Sequence, residues 1–91
     1  MMDKKKKAIS NLRSILINNR DFIDRIIVSE SFMQEIVQHP DLIQITVYFD
    51  DELGNIPLML GVPISESKTM TKNAVLEMQN GEFIIITLED K

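Results

Sequence analysis

The chain has 91 residues, of which 44% are apolar, and it contains no cysteine. A chain of this length forms one domain with a small core, and this apolar share is too high for a disordered protein. The absence of cysteine excludes a disulfide framework, a thiolate metal site and a thiol nucleophile. No apolar stretch approaches the roughly 20 residues of a membrane span, and none follows the first lysines as in a signal peptide. We therefore expect a cytoplasmic protein.

Charge is unevenly distributed along the sequence. Residues 1–25 carry seven basic and three acidic side chains, a net charge of +4. Residues 26–90 carry eleven acidic and two basic side chains, a net charge of −9, and Lys91 brings the total to −4. An acidic surface repels nucleic acid and speeds association with a basic partner. It is also a common way of staying soluble, so charge alone does not identify a partner.

The first segment has the apolar spacing of an amphipathic helix. The residues on its predicted apolar face are Ala8, Ile9, Leu12, Ile15 and Leu16. We predict a helix over residues 4–17, ended by Asn18 and Asn19, because asparagine tolerates the left-handed conformation. Positive charge is unfavourable at a helix N-terminus. Residues 1–7, which include four lysines, are therefore expected to be a frayed basic start before a folded domain at 8–88.

A strand and a short second helix follow. β-Branched residues crowd residues 25–32, which predicts a strand. Ser31 is the predicted cap of the second helix, because Glu35 follows near the position that completes a capping box. That helix spans residues 32–38 and stops before Pro40, since the residue before a proline disfavours helical angles.

The rest of the chain is predicted to form two β-hairpins. The predicted strands are residues 42–49, 56–62, 73–79 and 82–88. A polar turn at 50–55 joins the first pair, and Pro57 indicates an edge strand or a strand start. A loop at 65–72 follows, and Asn80-Gly81 predicts a type I′ turn, which needs positive φ at both positions. The expected fold is α+β, with a five-stranded, mostly antiparallel sheet and two helices packed against it, in the order α-β-α-β-β-β-β.

Signatures of catalysis are scarce. His39 is the only histidine, and no cysteine or second histidine is present to share a metal with it. The three glycines form neither a phosphate-binding loop nor a dinucleotide fingerprint, and there is no nucleophile elbow. The acidic run Asp50-Asp51-Glu52 lacks the spacing of a calcium loop. We expect a protein that is not an enzyme, with no catalytic residues, no metal site and no cofactor.

Several short motifs follow one another in a definite order. They are Ile26-Ile27-Val28 with Glu30-Ser31-Phe32, the acidic and aliphatic segment 33–37, Thr46-Val47-Tyr48 with Asp50-Asp51-Glu52, the Met/Leu-rich segment 55–60, and the hairpin segments 74–78 and 82–88. In this order and spacing, over roughly residues 8–88, the sequence resembles the uracil-DNA glycosylase inhibitors of bacteriophages. It departs from them in a shorter, less acidic second helix without an opening proline. It also lacks their tryptophan, and Gln44 falls near a position that should be apolar.

The resemblance implies a protein that acts as a mimic of DNA. A uracil-DNA glycosylase has a basic groove that pinches the duplex and an apolar residue that enters the minor groove as the uracil flips out. An inhibitor of this family occupies that groove and sequesters the protruding residue. The implied partner is uracil-DNA glycosylase in a 1:1 complex in the host cytoplasm. The inhibitor itself binds neither nucleic acid nor membrane, and it is a monomer when free.

The resemblance also assigns residues to the contact. Glu30 and Ser31, with Phe32 beside them, would meet the DNA-binding loops of the enzyme, and Glu35 would be a second phosphate mimic. An apolar pocket between the second helix and the sheet would receive the protruding residue. The candidate pocket residues are Met33, Ile36, Val37, Val47, Leu58, Leu60 and Leu76. Leu58 and Leu60 are expected to share one strand face.

Two other functions fit the same sequence. A small acidic protein of a phage or mobile element could block a different nucleic-acid-binding host protein, in the manner of an anti-restriction or anti-CRISPR protein. That function needs the acidity but not the apolar pocket. The chain could also be a subunit of a homo-oligomer in which residues 83–88 or another edge strand pairs with its twin.

Overall fold

The computed structural model describes residues 4–88 as two helices and a six-stranded sheet. The elements in chain order are α1 (Lys4–Asn19), a 3₁₀ turn (Arg20–Phe22), β1 (Ile23–Ser29), α2 (Glu30–Val37), β2 (Ile45–Asp50), β3 (Gly54–Met59), β4 (Val62–Ser67), β5 (Asn73–Met78) and β6 (Phe83–Thr87). The α+β class and the two helices confirm the expectation from sequence. Within residues 4–88, no helix is long and apolar enough to cross a membrane.

The sheet differs from the expected one in strand number and in direction. Its strand order is β2-β3-β4-β1-β5-β6, and β1 pairs with β4 in parallel. The predicted five-stranded sheet is therefore a six-stranded mixed sheet with β1 at its centre. The central position explains why β1 is so rich in β-branched residues, because it has a strand on both sides and a core face to fill.

Both helices contribute to one core on one face of the sheet. Ile26, Leu76 and Ile84 lie side by side across β1, β5 and β6 on the core face. α1 packs on β6, and α2 packs on β1 and β4. The predicted apolar face of α1 is the buried one, with Ile9, Leu12 and Leu16 fully buried.

The strand that the sequence analysis missed is β4. Residues 56–62 were expected to be one strand and residues 65–72 a loop. The structure instead ends β3 at Met59 and starts β4 at Val62, because Leu60 and Gly61 form a two-residue turn with φ of 51° and 86°. Positive φ at both positions is the type I′ geometry that matches strand twist. Leucine rarely adopts it, so the sequence carried no turn signal there.

The last hairpin has a different turn from the predicted type I′ turn. Gly81 has a φ of 90°, but Asn80 has no positive φ. The Gly81 amide donates to the Met78 carbonyl at 3.0 Å, and the Met78 amide donates to the Glu82 carbonyl at 2.9 Å. These bonds define a three-residue loop, in which a tight turn is followed by a left-handed glycine. The hairpin is confirmed, although its loop is one residue longer than predicted.

The helix α2 starts two residues earlier than predicted, and Ser29 caps it in place of Ser31. The Ser29 hydroxyl accepts a hydrogen bond from the Phe32 amide at 3.1 Å, and Ser29 is only 2% exposed. Sequence favoured Ser31 because an acid or amide follows it at capping-box distance. At the corresponding position after Ser29 the chain has Phe32, whose side chain cannot complete a capping box. Burial of Phe32 in the core decides between the two caps.

Replacing Ser29 with alanine is expected to lower the free energy of unfolding by about 0.5–2 kcal/mol, the range for loss of an N-cap. The change leaves the buried Phe32 amide without its acceptor. Ser31→Ala is the matched control, because Ser31 is exposed and should change stability by less than about 0.5 kcal/mol. Urea unfolding of both variants measures the difference. A larger loss for Ser31→Ala would reassign the cap.

The lysine run forms the first turn of α1. Residues 4–7 are helical, in agreement with the helix predicted over 4–17, while residues 1–3 lie outside the described range. The Lys5 ammonium lies 3.3 Å from a carboxylate oxygen of Glu35 on α2. This contact between the two helices offsets the unfavourable position of a positive charge at the start of a helix.

Candidate protein-binding surface

One side of α2 is open to solvent and carries two of the four predicted contact residues. Glu30, Ser31, Gln34 and Val37 are exposed. Their spacing of i, i+1, i+4 and i+7 places them on a single helix face. Glu30 is the first residue of the helix, where a carboxylate interacts favourably with the helix dipole. We call these four residues the α2 face.

Phe32 lies on the opposite side of α2 and is fully buried. It is the largest of the fully buried side chains. Phe32 was predicted to contact the partner, but a side chain with no exposed surface offers a partner nothing to touch. Its position in the helix turns it about 100° away from Ser31, towards the core.

Glu35 is flanked by the first helix. Its side chain is 16% exposed, and the ion pair with Lys5 satisfies part of its charge. A carboxylate that already has a cationic neighbour attracts a second one less strongly. The predicted role of Glu35 as a phosphate mimic is therefore weaker than that of Glu30, which is exposed.

The seven predicted pocket residues do not line one pocket. Ile36 and Leu76 are fully buried in the core, and Met33 and Leu60 pack against its margin. Val37 and Val47 are mostly exposed. Leu58 pairs across the strands with Thr46 and Pro63, on the sheet face opposite to the buried Met59. Leu58 and Leu60 do not share a strand face as predicted, because β3 ends between them.

An open groove of mixed polarity does exist between the C-terminal end of α2 and the start of β2. It has a volume of about 450 Å³ and is lined by Val37, Pro40, Ile43, Gln44 and Ile45. We call it the α2–β2 groove. Val37 is the one predicted pocket residue among those that line it. Gln44 lines the groove and lies just before β2. Its polar side chain is therefore outside the strand, which starts at Ile45.

The loop that forms the groove is held by backbone hydrogen bonds around His39. Its amide donates to the Ile36 carbonyl at 3.1 Å, and its carbonyl accepts from the amides of Leu42 and Ile43 at 3.0 and 3.3 Å. The His39 ring nitrogen Nδ1 lies 2.9 Å from the Glu35 carbonyl. His39 therefore closes the end of α2. Within residues 4–88, no three His, Cys, Asp or Glu side chains lie together as metal ligands would.

The hairpin of β2 and β3 forms one side of the sheet, and we call it the β2–β3 arm. All six residues of β2 pair with β3, but β4 pairs with β3 only at Leu58 and Met59. The tip of the arm is acidic. The Asp50 carboxylate accepts hydrogen bonds from the amides of Leu53 and Glu52 at 3.0 and 2.8 Å, and these bonds lower the pKa of Asp50 below its ordinary value. These bonds also hold the Asp50 side chain against the turn.

One acidic residue near the α2 face was missed by the sequence analysis. Glu66 lies beside Val28 in the parallel pairing of β1 and β4, so it lies near the same C-terminal end of these strands as Glu30. Both side chains are exposed. Sequence reasoning could not place Glu66 near Glu30, because residues 65–72 were predicted to form a loop. Only the parallel pairing of β1 and β4 brings Glu66 to this end of the sheet.

Comparison with protein-family models, with curated proteins and with solved structures finds no match. The likeness to the uracil-DNA glycosylase inhibitors thus rests on the ordered motifs of the sequence.

Proposed function

We propose that this protein is an inhibitor of uracil-DNA glycosylase that acts as a DNA mimic in the host cytoplasm and occupies the DNA-binding groove of the enzyme. One observation carries the proposal. The α2 face presents Glu30 and Ser31 at one end and opens onto the α2–β2 groove at the other. A negative group and a groove with aliphatic side chains on one helix face fit an enzyme that binds phosphates and projects an apolar residue.

The helix α2 sets the distance between these two features. Val37 comes seven positions after Glu30, which corresponds to about 10 Å along a helix. In the proposed complex, the Glu30 carboxylate takes the place of a phosphate, and the Ser31 hydroxyl hydrogen-bonds to a DNA-binding loop. The protruding apolar residue of the enzyme enters the α2–β2 groove against Val37 and Ile45. Burial of an apolar side chain in such a groove slows dissociation.

The charge distribution supports fast association with a basic surface. Glu30 and Glu66 lie at one end of the central strands, and the turn of the β2–β3 arm is acidic. Carboxylates held on a folded surface steer a basic partner towards them, and this attraction weakens as salt is added. The proposed complex has one inhibitor and one enzyme, and it needs no cofactor.

The test is a uracil-excision assay with a bacterial uracil-DNA glycosylase, in which the protein is titrated against a fixed enzyme concentration. We expect activity to fall linearly and to vanish near one equivalent, because a tight 1:1 inhibitor consumes the enzyme as it is added. A folded acidic protein of similar size and net charge, added at the same ratios, controls for nonspecific electrostatic inhibition.

Full enzyme activity at a large excess of folded protein would overturn the proposal. In that case, the acidic surface would point to the other expected function, which is the blocking of a different nucleic-acid-binding host protein. Pull-downs against defined DNA-binding enzymes would then replace the excision assay.

A further inference from the structure

The strand β2 forms an outer edge of the sheet. It is the first strand in the order β2-β3-β4-β1-β5-β6, and no strand of the described residues pairs with its outer side. Natural edge strands are often protected by lysine, proline, a bulge or a very short length. β2 has six residues, none of them lysine or proline, and its pairing with β3 is regular.

The exposed residues of β2 are unusually apolar. Val47, Tyr48 and Phe49 are 63%, 57% and 64% exposed. Because side chains alternate along a strand, Val47 and Phe49 project from the helix-side face of the sheet and Tyr48 from the other. Both faces of this edge are therefore apolar and open to water.

We propose that the free protein pairs with a second copy of itself through β2, as antiparallel strands about a twofold axis. The axis lies midway between the two copies of Val47, so that each Val47 faces the other. This register places Ile45 opposite Phe49 of the second copy and Thr46 opposite its Tyr48. Pairs of an aromatic and a β-branched residue are among the favourable cross-strand pairs. The two sheets then join into one of twelve strands, and each edge provides the backbone partners of the other.

A symmetric register shifted by one residue is less favourable. A twofold axis perpendicular to the sheet keeps every side chain on its own face, so the axis must lie midway between the two copies of one residue. An axis midway between the two copies of Tyr48 would place Thr46 opposite Asp50 and Ile45 opposite Asp51. Only the two pairs of Val47 with Phe49 would then join an aromatic to a β-branched residue, against four such pairs in the Val47 register. The Val47 register places Asp50 opposite Gln44, whose amide can donate a hydrogen bond to it.

The negative charge of the arm does not prevent this pairing. The antiparallel arrangement sends the two acidic tips in opposite directions from the axis. Asp51 lies four residues from Val47, so the two copies of Asp51 are about 27 Å apart at roughly 3.4 Å per residue. This separation exceeds the Debye length of about 8 Å at physiological salt. Repulsion between the tips is therefore largely screened.

This inference revises the expectation of a monomeric free protein and does not depend on the proposed function. It does have a consequence for that function. Ile45 lines the α2–β2 groove, and in the dimer it faces Phe49 of the second copy. The dimer and an inserted enzyme residue thus compete for neighbouring surface.

Disulfide trapping tests the contact directly, because the natural chain has no cysteine. In the dimer, Val47→Cys brings two thiols into directly opposed positions on antiparallel strands, within the range for a disulfide. We expect mild oxidation to convert this variant largely to covalent dimer. Ile85→Cys on β6 is the matched control, with Ile85 64% exposed, and it should form no covalent dimer because β6 lies outside the proposed contact. Efficient crosslinking of Ile85→Cys and not of Val47→Cys would overturn the proposal and indicate pairing through β6.

Analytical ultracentrifugation tests the same contact without crosslinks. We expect the natural chain to reach twice its mass of 10.5 kDa, and Val47→Lys to remain monomeric because it sets two like charges face to face. Ile85→Lys should dimerise like the natural chain. A natural chain that stays monomeric up to roughly 1 mM, the scale of the weakest specific complexes, would overturn the proposal.

Discussion

Replacing Phe32 with alanine is expected to lower the free energy of unfolding by about 3–5 kcal/mol, the range for removing a buried aromatic side chain. Phe32 is fully buried, and its helix packs on both β1 and β4. The truncation leaves a cavity where the helix meets the central strand. A domain of 91 residues has a total stability of about 5–14 kcal/mol at the usual value per residue. Phe32 therefore accounts for a large share of it, and urea unfolding followed by circular dichroism measures the loss.

The control for this prediction lies on the same helix. Val37→Ala also shortens an apolar side chain, but Val37 is 59% exposed and its loss should change stability by less than about 0.5 kcal/mol. In the excision assay we expect the opposite order. Val37→Ala should weaken inhibition more than Phe32→Ala protein that remains folded, because Val37 lines the α2–β2 groove. If Phe32→Ala melted like the natural protein, Phe32 would not anchor α2, and its predicted role as a contact residue would have to be restored.

Reversing the charge of Glu30 is expected to weaken the complex with uracil-DNA glycosylase by about 100-fold, or about 2.8 kcal/mol. In the proposed complex, the carboxylate stands where the enzyme binds a phosphate. Glu30→Lys replaces that attraction with repulsion from the basic groove. Glu30→Ala should weaken binding less, because it removes the attraction only. The dissociation constants of both variants can be measured by surface plasmon resonance at one fixed ionic strength.

Glu82→Lys is the matched control for overall charge. It makes the same change in net charge. Glu82 is exposed in the β5–β6 loop, at the end of the sheet opposite to Glu30. Its affinity should fall much less than that of Glu30→Lys. Because a carboxylate at a helix N-terminus adds up to about 1 kcal/mol of stability, melting curves must show that Glu30→Lys is folded. Equal losses for Glu30→Lys and Glu82→Lys would mean that net charge, and not the α2 face, determines binding.

The local structure of this chain could largely be predicted from its sequence. The predicted α1 ends within two residues of the helix found, because its apolar face repeats at helical spacing. The hairpins β2–β3 and β5–β6 also follow from local patterns. The pocket could not be predicted in the same way. Leu76 and Leu58 have similar apolar side chains, but strand pairing places one in the core and the other on the opposite face.

The sequence by itself determined the two helices and five of the six strands, the absence of thiol chemistry, and the acidic character of the second part of the chain. These properties depend on composition and on neighbours a few residues apart. The tertiary structure alone decided that β1 is central and parallel to β4, that Ser29 caps α2, and that a groove opens beside Val37 and Ile45. Each of these depends on contacts between segments far apart in the chain, where burial and strand pairing outweigh local preference.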